Sequence, residues 1–167
     1  MTKRPHHILL PLLLGALPLP ALADASAGAI ERGAYLAQIM DCAGCHMPRG
    51  ADGAPMPELG LSGGSVGFEI PGLGIFWPPN LTPAVTGLGG WSDEEIAAAI
   101  RTGVTPDGRI LAPAMPWAAY AALSDDDVIA MIAYLRALSP LETPRLGPVA
   151  TAEAAPAPFY RVTFPAP

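Results

Sequence analysis

Apolar residues recur at helical spacing in three places along the chain and alternate in one. From about Ala29 to Asp41, Tyr35, Leu36 and Ile39 fall on one side of a predicted helix. Ile96, Ala99 and Ile100 mark a second. Val128, Met131, Ile132, Leu135 and Leu138, at i, i+3, i+4, i+7 spacing, mark a last helix that stops before Ser139-Pro140. Between the first two, Val66, Phe68 and Ile70 alternate with Gly67 and Glu69. Pro71-Gly72 supplies a turn and Ile75-Phe76-Trp77 returns, which predicts a small two-stranded hairpin.

The ends of the later helices are written in capping residues. Ser92 with Glu95 forms a capping box, and Trp91 ahead of it can staple to Ile96. Gly103 suits a left-handed C-terminal cap. Ser124 repeats the pattern, with Leu123 stapling to Val128 and Asp125, Asp126 and Asp127 in the first turn, where the helix dipole favours negative charge. Those three aspartates read as helix-start chemistry rather than a metal site.

The remainder is loop. With 18 Gly and 21 Pro in 167 residues the chain is rich in loop formers, and Met47 to Gly64 has no periodicity. Pro78-Pro79-Asn80-Leu81-Thr82-Pro83 cannot be regular structure, because three prolines remove donors and fix φ. Such a segment is either a cover over a cofactor edge or a plain surface loop. Residues 141–167 read as an Ala/Pro-rich C-terminal tail in which Phe159 to Phe164 is the one sticky piece.

At the N-terminus, Lys3 and Arg4 precede an apolar run from Ile8 to Leu19, and Ala21-Leu22-Ala23 is an A-x-A cleavage site. Residues 1–23 are therefore expected to be a signal peptide cleaved after Ala23, leaving an exported, periplasmic protein with no membrane span in the mature chain. Residues 24–29 are expected to be an unstructured lead and residues 24–140 the single domain. Losing Lys3 and Arg4 takes the formal charge from −6 to −8, so no nucleic-acid partner is expected, since phosphate binding needs a basic surface. A partner with a basic patch is the natural electrostatic match.

The chemistry lies in Cys42-Ala43-Gly44-Cys45-His46, a C-x-x-C-H. Two thiols at that spacing can add to the two vinyl groups of a haem, and the next residue then offers an imidazole nitrogen to the iron, so the motif reads as an attachment site for one haem c. Cys42 and Cys45 are the only cysteines, and the other histidines, His6 and His7, precede the cleavage site. A structural zinc site wants about four Cys or His ligands, more than the mature chain offers. A thioredoxin-like dithiol wants its C-x-x-C after a strand, whereas a helical pattern precedes Cys42 here.

A haem iron bound by His46 has a second axial position, and no other histidine remains in the mature chain. A methionine thioether opposite histidine gives an electron-transfer haem with a raised potential. Met40 and Met47 flank the motif on its own side of the ring, and Met131 already belongs to a core face. Met56, in a Gly/Pro loop close after His46, and Met115, in Leu111-Ala112-Pro113-Ala114-Met115-Pro116-Trp117, stay open. Met115 is favoured, since prolines on both sides keep it out of a helix and hold its loop stiff. An iron with no distal ligand is the third case.

The order of C-x-x-C-H, Asn80-Leu81-Thr82-Pro83, Thr86-Gly87-Leu88-Gly89-Gly90-Trp91-Ser92-Asp93-Glu94-Glu95, Arg101-Thr102-Gly103-Val104, Asp107-Gly108-Arg109, Pro113-Ala114-Met115-Pro116-Trp117 and Tyr134-Leu135 resembles the class I cytochrome c domains in cytochrome subunits of bacterial alcohol and gluconate dehydrogenases. The resemblance covers about Ala29 to Leu138. It implies an all-α class I cytochrome c fold, three to five helices around one covalent haem, with His46 as proximal and Met115 as distal ligand. It also implies that the protein is no enzyme but an electron carrier between redox partners such as a dehydrogenase or a terminal oxidase. Family members usually hold several such domains, against one haem motif here. Arg101 and Arg109 are either propionate partners or ordinary surface arginines. The rival class is a haem enzyme or gas-binding sensor with an open sixth position.

Overall fold

The structure is a computed structural model and describes residues 20–165. The charged start and apolar run of the expected signal segment lie outside the described residues. Five α-helices and three short strands follow in the order α1 (Pro20–Ile39), α2 (Cys42–His46), β1 (Gly67–Ile70), β2 (Gly74–Phe76), α3 (Asp93–Thr102), α4 (Trp117–Tyr120), α5 (Asp125–Ala137) and β3 (Phe159–Tyr160) among those residues. Single 3₁₀ turns at Pro57–Leu59 and Ala152–Ala154 punctuate the loops. No helix among the described residues is long and apolar enough to cross a membrane.

Helix α1 starts earlier than its apolar pattern predicts. The expected unstructured lead, residues 24–29, is helical. Its alternate alanines supply the highest helix propensity, and Pro20 suits a first helical position. Helix α5 packs across α1. Leu36 and Ala37 of α1, Ile96 and Ile100 of α3, and Val128, Ala130, Met131, Ile132 and Leu135 of α5 form one buried core with Leu61 and Leu88. Met131 is thus a core residue, as its helical spacing predicts. Burying one such side chain is worth about 1.5–3 kcal/mol, so the helix triangle carries most of the apolar stabilisation.

The caps form as written. Ser92 accepts from Glu95 N–H at 3.2 Å and Glu95 returns a carboxylate to Ser92 N–H at 2.7 Å. Gly103 ends α3 at φ 71° in the left-handed region, and Ser124 accepts from Asp127 N–H.

The expected hairpin is present, and a third strand joins it. Strands β1 and β2 pair antiparallel with Phe68 opposite Phe76, around a turn closed by Leu73 N–H to Ile70 C=O. Gly72, at φ 80°, takes the turn position that needs a positive φ. Strand β3 then adds in parallel on the other side of β1. The all-α expectation, with its small hairpin, holds for the helical body, and the hairpin is extended to a small mixed sheet ordered β2-β1-β3. The cause is the sticky Phe159-Tyr160, whose Tyr160 ring lies 5.6 Å from that of Phe68. Trp77 is buried beside the sheet, donates its indole N–H to Pro158 C=O at 3.1 Å, and lies so close to Gly67 that a Cβ there would come within 2.7 Å of its ring.

The segment joining α5 to β3 runs along the body. Asn80 donates to Leu141 C=O at 2.7 Å, and the Glu142 carboxylate accepts from Val85 and Thr86 N–H at 2.9 and 3.1 Å. Val149 exchanges two backbone hydrogen bonds with Ile75, whose side chain is fully buried.

Candidate haem site

The motif occupies a helix of its own. Asp41 adopts a left-handed conformation, φ 54° and ψ 41°, which an aspartate tolerates because its short side chain can bond locally. That residue ends α1 and redirects the chain into α2, where its carboxylate accepts from Gly44 N–H at 3.1 Å. Gly44 leaves room for this cap, since a Cβ would come within 2.1 Å of the carboxylate. One helical turn then sets Cys42, Cys45 and His46 at i, i+3 and i+4, on one face.

His46 is buried, with its ring Nδ1 2.7 Å from Pro79 C=O. A carbonyl only accepts, so Nδ1 carries the proton and donates. Nε2 is therefore the unprotonated nitrogen, and it makes no hydrogen bond with the described residues. Burial pushes the imidazole below its ordinary pKa, with the Pro79 carbonyl opposing in part. The ring is thus neutral, fixed in one tautomer, and presents a free lone pair. The loop around it is tied backbone to backbone. Gly63 N–H donates to His46 C=O and Gly64 N–H to Pro78 C=O, both at 2.9 Å. Gly64 lies so close that a Cβ would meet Cys45 C=O at 2.2 Å.

Both cysteines are free and half-buried. Burial pushes the Cys42 thiol up to about 11, with the Asp41 charge adding to the effect, and raises Cys45 likewise. Protonated thiols at neutral pH are not the activated thiolates that dithiol redox chemistry requires. Among the described residues no group of three or more His, Cys, Asp or Glu side chains is arranged to hold a metal ion.

Met115 stands on a different part of the fold. Its N–H closes a turn on Ala112 C=O at 3.0 Å, and Trp117 N–H donates to Met115 C=O at 2.9 Å. Both ends of this loop are pinned at Gly103. Leu111 N–H donates to Gly103 C=O at 2.8 Å, and the Trp117 indole packs over Gly103 and donates to Leu111 C=O. Helix α4 ties the loop to the motif, since Tyr120 O–H donates to Met40 C=O at 3.1 Å. Met56 opens the 3₁₀ turn with its N–H on Pro48 C=O. Of the arginines considered, Arg101 donates to Leu123 C=O and pairs with Asp125 at 2.7 Å, and Arg109 lies 3.8 Å from Asp107. Both serve partners within the chain.

A haem fits this donor set. Two free thiols share a helix face with a buried imidazole whose outward nitrogen is bare and whose other nitrogen is held. The Pro79 carbonyl is the functional group that reading the sequence missed. Three crowded prolines left a cover and a plain surface loop both open, and nothing there named the atom that bonds the histidine.

With this arrangement the chain belongs to the cytochrome c family, whose pattern it matches over residues 30–139. Domains of this family carry covalently bound haem c. The chain is 39% identical over 129 residues to the gluconate 2-dehydrogenase cytochrome c subunit of Pantoea cypripedii, covering 75% of this chain and 27% of that protein. It is 37% identical over 127 residues to the fructose dehydrogenase cytochrome subunit of Gluconobacter japonicus, covering 75% and 24%. It is 36% identical over 112 residues to the cytochrome c subunit of the quinone alcohol dehydrogenase of Gluconobacter oxydans, covering 66% and 22%. The chain thus spans 22–27% of the length of these relatives.

Proposed function

We propose that this chain is an exported monohaem cytochrome c domain that carries single electrons between redox proteins, as the electron-transfer part of a dehydrogenase system. The observation that carries the reading is the His46 imidazole, buried, held at Nδ1 by Pro79 and bare at Nε2. Bound through Cys42 and Cys45, the haem supplies a one-electron couple at its iron. His46 is the proximal ligand and its tautomer is set in advance by Pro79. Met115 is the distal ligand, presented by a loop pinned at both ends on Gly103. No acid, base or nucleophile is called on. Residues 1–23 direct export, which suits haem attachment outside the cytoplasm. The relatives, named as dehydrogenase cytochrome subunits, support a dehydrogenase as electron donor, and the net negative charge favours a basic patch on the partner.

The test is the protein matured with covalent haem. One haem per chain by pyridine haemochrome and a methionine-to-iron band in the ferric spectrum, absent in Met115→Ala, are expected. A native high-spin haem that binds carbon monoxide readily would overturn the carrier reading in favour of an open-site enzyme or sensor.

A further inference from the structure

Leu141-Glu142-Thr143, in the segment that follows α5, lies outside the residues that match the family pattern, yet it bonds to the loop that holds His46. Asn80 directly follows Pro79, so its peptide N–H belongs to the same rigid plane as the Pro79 carbonyl. The Asn80 side chain is buried and its hydrogen-bonding capacity is full. Its oxygen accepts from Thr82 N–H and Thr82 O–H, both at 2.8 Å, and its amide donates to Thr86 Oγ1 at 3.2 Å and to Leu141 C=O at 2.7 Å.

The segment reinforces each of those partners. Leu141 N–H donates to Thr82 Oγ1 at 3.2 Å, Thr143 N–H donates to Thr86 Oγ1 at 3.1 Å, and Glu142 takes the Val85 and Thr86 amides. Thr143 O–H donates to Ser62 C=O, next to the Gly63 amide that bonds His46 C=O. Three consecutive residues thus brace the proximal loop from two sides.

We infer that Leu141-Glu142-Thr143 is a strap that positions the proximal ligand, holding Asn80 and through it the Pro79 carbonyl against His46 Nδ1, and so sets the reduction potential. The inference rests on His46 being the iron's proximal ligand. An outer partner that holds a ligating imidazole raises the ligand's basicity. A more basic imidazole stabilises ferric over ferrous iron, so loosening the strap raises the potential. Asn80 and the strap are positioning residues, which act on the iron only through Pro79 and His46.

The test uses holoprotein of the full chain, comparing wild type with Thr143→Val, the double variant Glu142→Gln/Thr143→Val, and Arg161→Gln as control. Arg161 belongs to the same C-terminal segment but pairs with Glu69 on the sheet. In the double variant the ferrous-to-ferric equilibrium is expected to shift towards ferrous by up to about tenfold, 59 mV for a one-electron couple. The His46 Nδ1 proton is expected to exchange with solvent several-fold faster by NMR. Thr143→Val should move both readings part of the way, and Arg161→Gln should move neither. Lowered stability with potential and proton exchange unchanged would overturn the strap while leaving His46 ligation intact. Spectra showing that His46 does not bind the iron would instead remove the reading beneath it.

Discussion

Arg136, at the end of α5, holds Asp93, at the start of α3, through Nε and Nη2 at 3.0 and 2.9 Å from one carboxylate oxygen. The opposite corner repeats the arrangement, with Arg101 at the end of α3 pairing with Asp125 at the start of α5. Each helix therefore places a cation from its last turn on an anion in the other's first turn, where both helix dipoles favour it. Arg136 donates to two carbonyls, Leu88 and Trp91, where Arg101 donates to one, Leu123. Exposed ion pairs are worth at most about 1 kcal/mol, whereas orphaned carbonyls cost about 1–3 kcal/mol. Asp93→Asn is thus expected to lower unfolding free energy by under about 1 kcal/mol, and Arg136→Ala by about 2 kcal/mol. Urea denaturation of the two variants checks the ranking, and equal losses would contradict it.

A second expectation concerns the helix crossing. A Cβ on Gly33 would come within 2.0 Å of Ala130 C=O and 2.6 Å of Tyr134 Cβ. Both obstacles are rigidly attached to α5, so no rotamer change relieves the clash. Gly33→Ala is expected to cost about 3 kcal/mol, the upper end of ordinary overpacking, and to lower the thermal midpoint of the holoprotein. Gly28, with nothing near it, should instead gain stability as alanine, since glycine inside a helix costs roughly 0.5–1 kcal/mol.

What the sequence made legible follows the range of each interaction. Caps, the α5 face and the motif helix depend on residues a turn apart, so Ser92, Glu95 and Ser124 could be read directly. The Pro79 bond to His46 joins the motif helix to a loop with no periodicity, and the Glu142 clamp lies in a segment whose composition suggests a tail. Neither leaves a local pattern. Phe159-Tyr160 showed stickiness but not its parallel partner, which only the fold supplies. The proposed role of Met115 rests on stiffness and chain order, and the attachment of its loop at Gly103 is the kind of rigidity that proposal needs.

The Arg32–Asp127 pair makes a pH prediction. The Arg32 guanidinium, hydrogen-bonded at 2.9 Å, holds Asp127 below the ordinary aspartate value of 3.8, helped by Ser124. A carboxyl whose folded value is depressed gives stability that is complete above its unfolded value. That stability is lost as pH falls through the folded one. Thermal midpoints of Asp127→Asn and wild type should therefore differ most at neutral pH and converge in acid, as pH falls below the ordinary aspartate value and through the depressed folded one. The difference should also shrink in high salt, because the pair is exposed. A gap that stays constant down to acid pH would show that the effect lies in helix capping and not in the charge.

The most direct link between the fold and the proposed distal ligand, Met115, is Gly103. At φ 71° any other residue is strained, and a Cβ would meet the Trp117 indole at 2.8 Å. The left-handed conformation alone costs an alanine about 1–2 kcal/mol. The clash falls on the ring that anchors the Met115 loop. Gly103→Ala is therefore expected to do two things that Gly33→Ala does not. It should weaken the methionine-to-iron band of the matured protein, and it should let carbon monoxide bind the ferrous form faster, because the loop is released at both its attachments. Stability would fall in both variants, so stability alone cannot separate them. If Gly103→Ala unfolds more easily while band and ligand-binding rate match wild type, the loop does not depend on this anchor for the position of Met115.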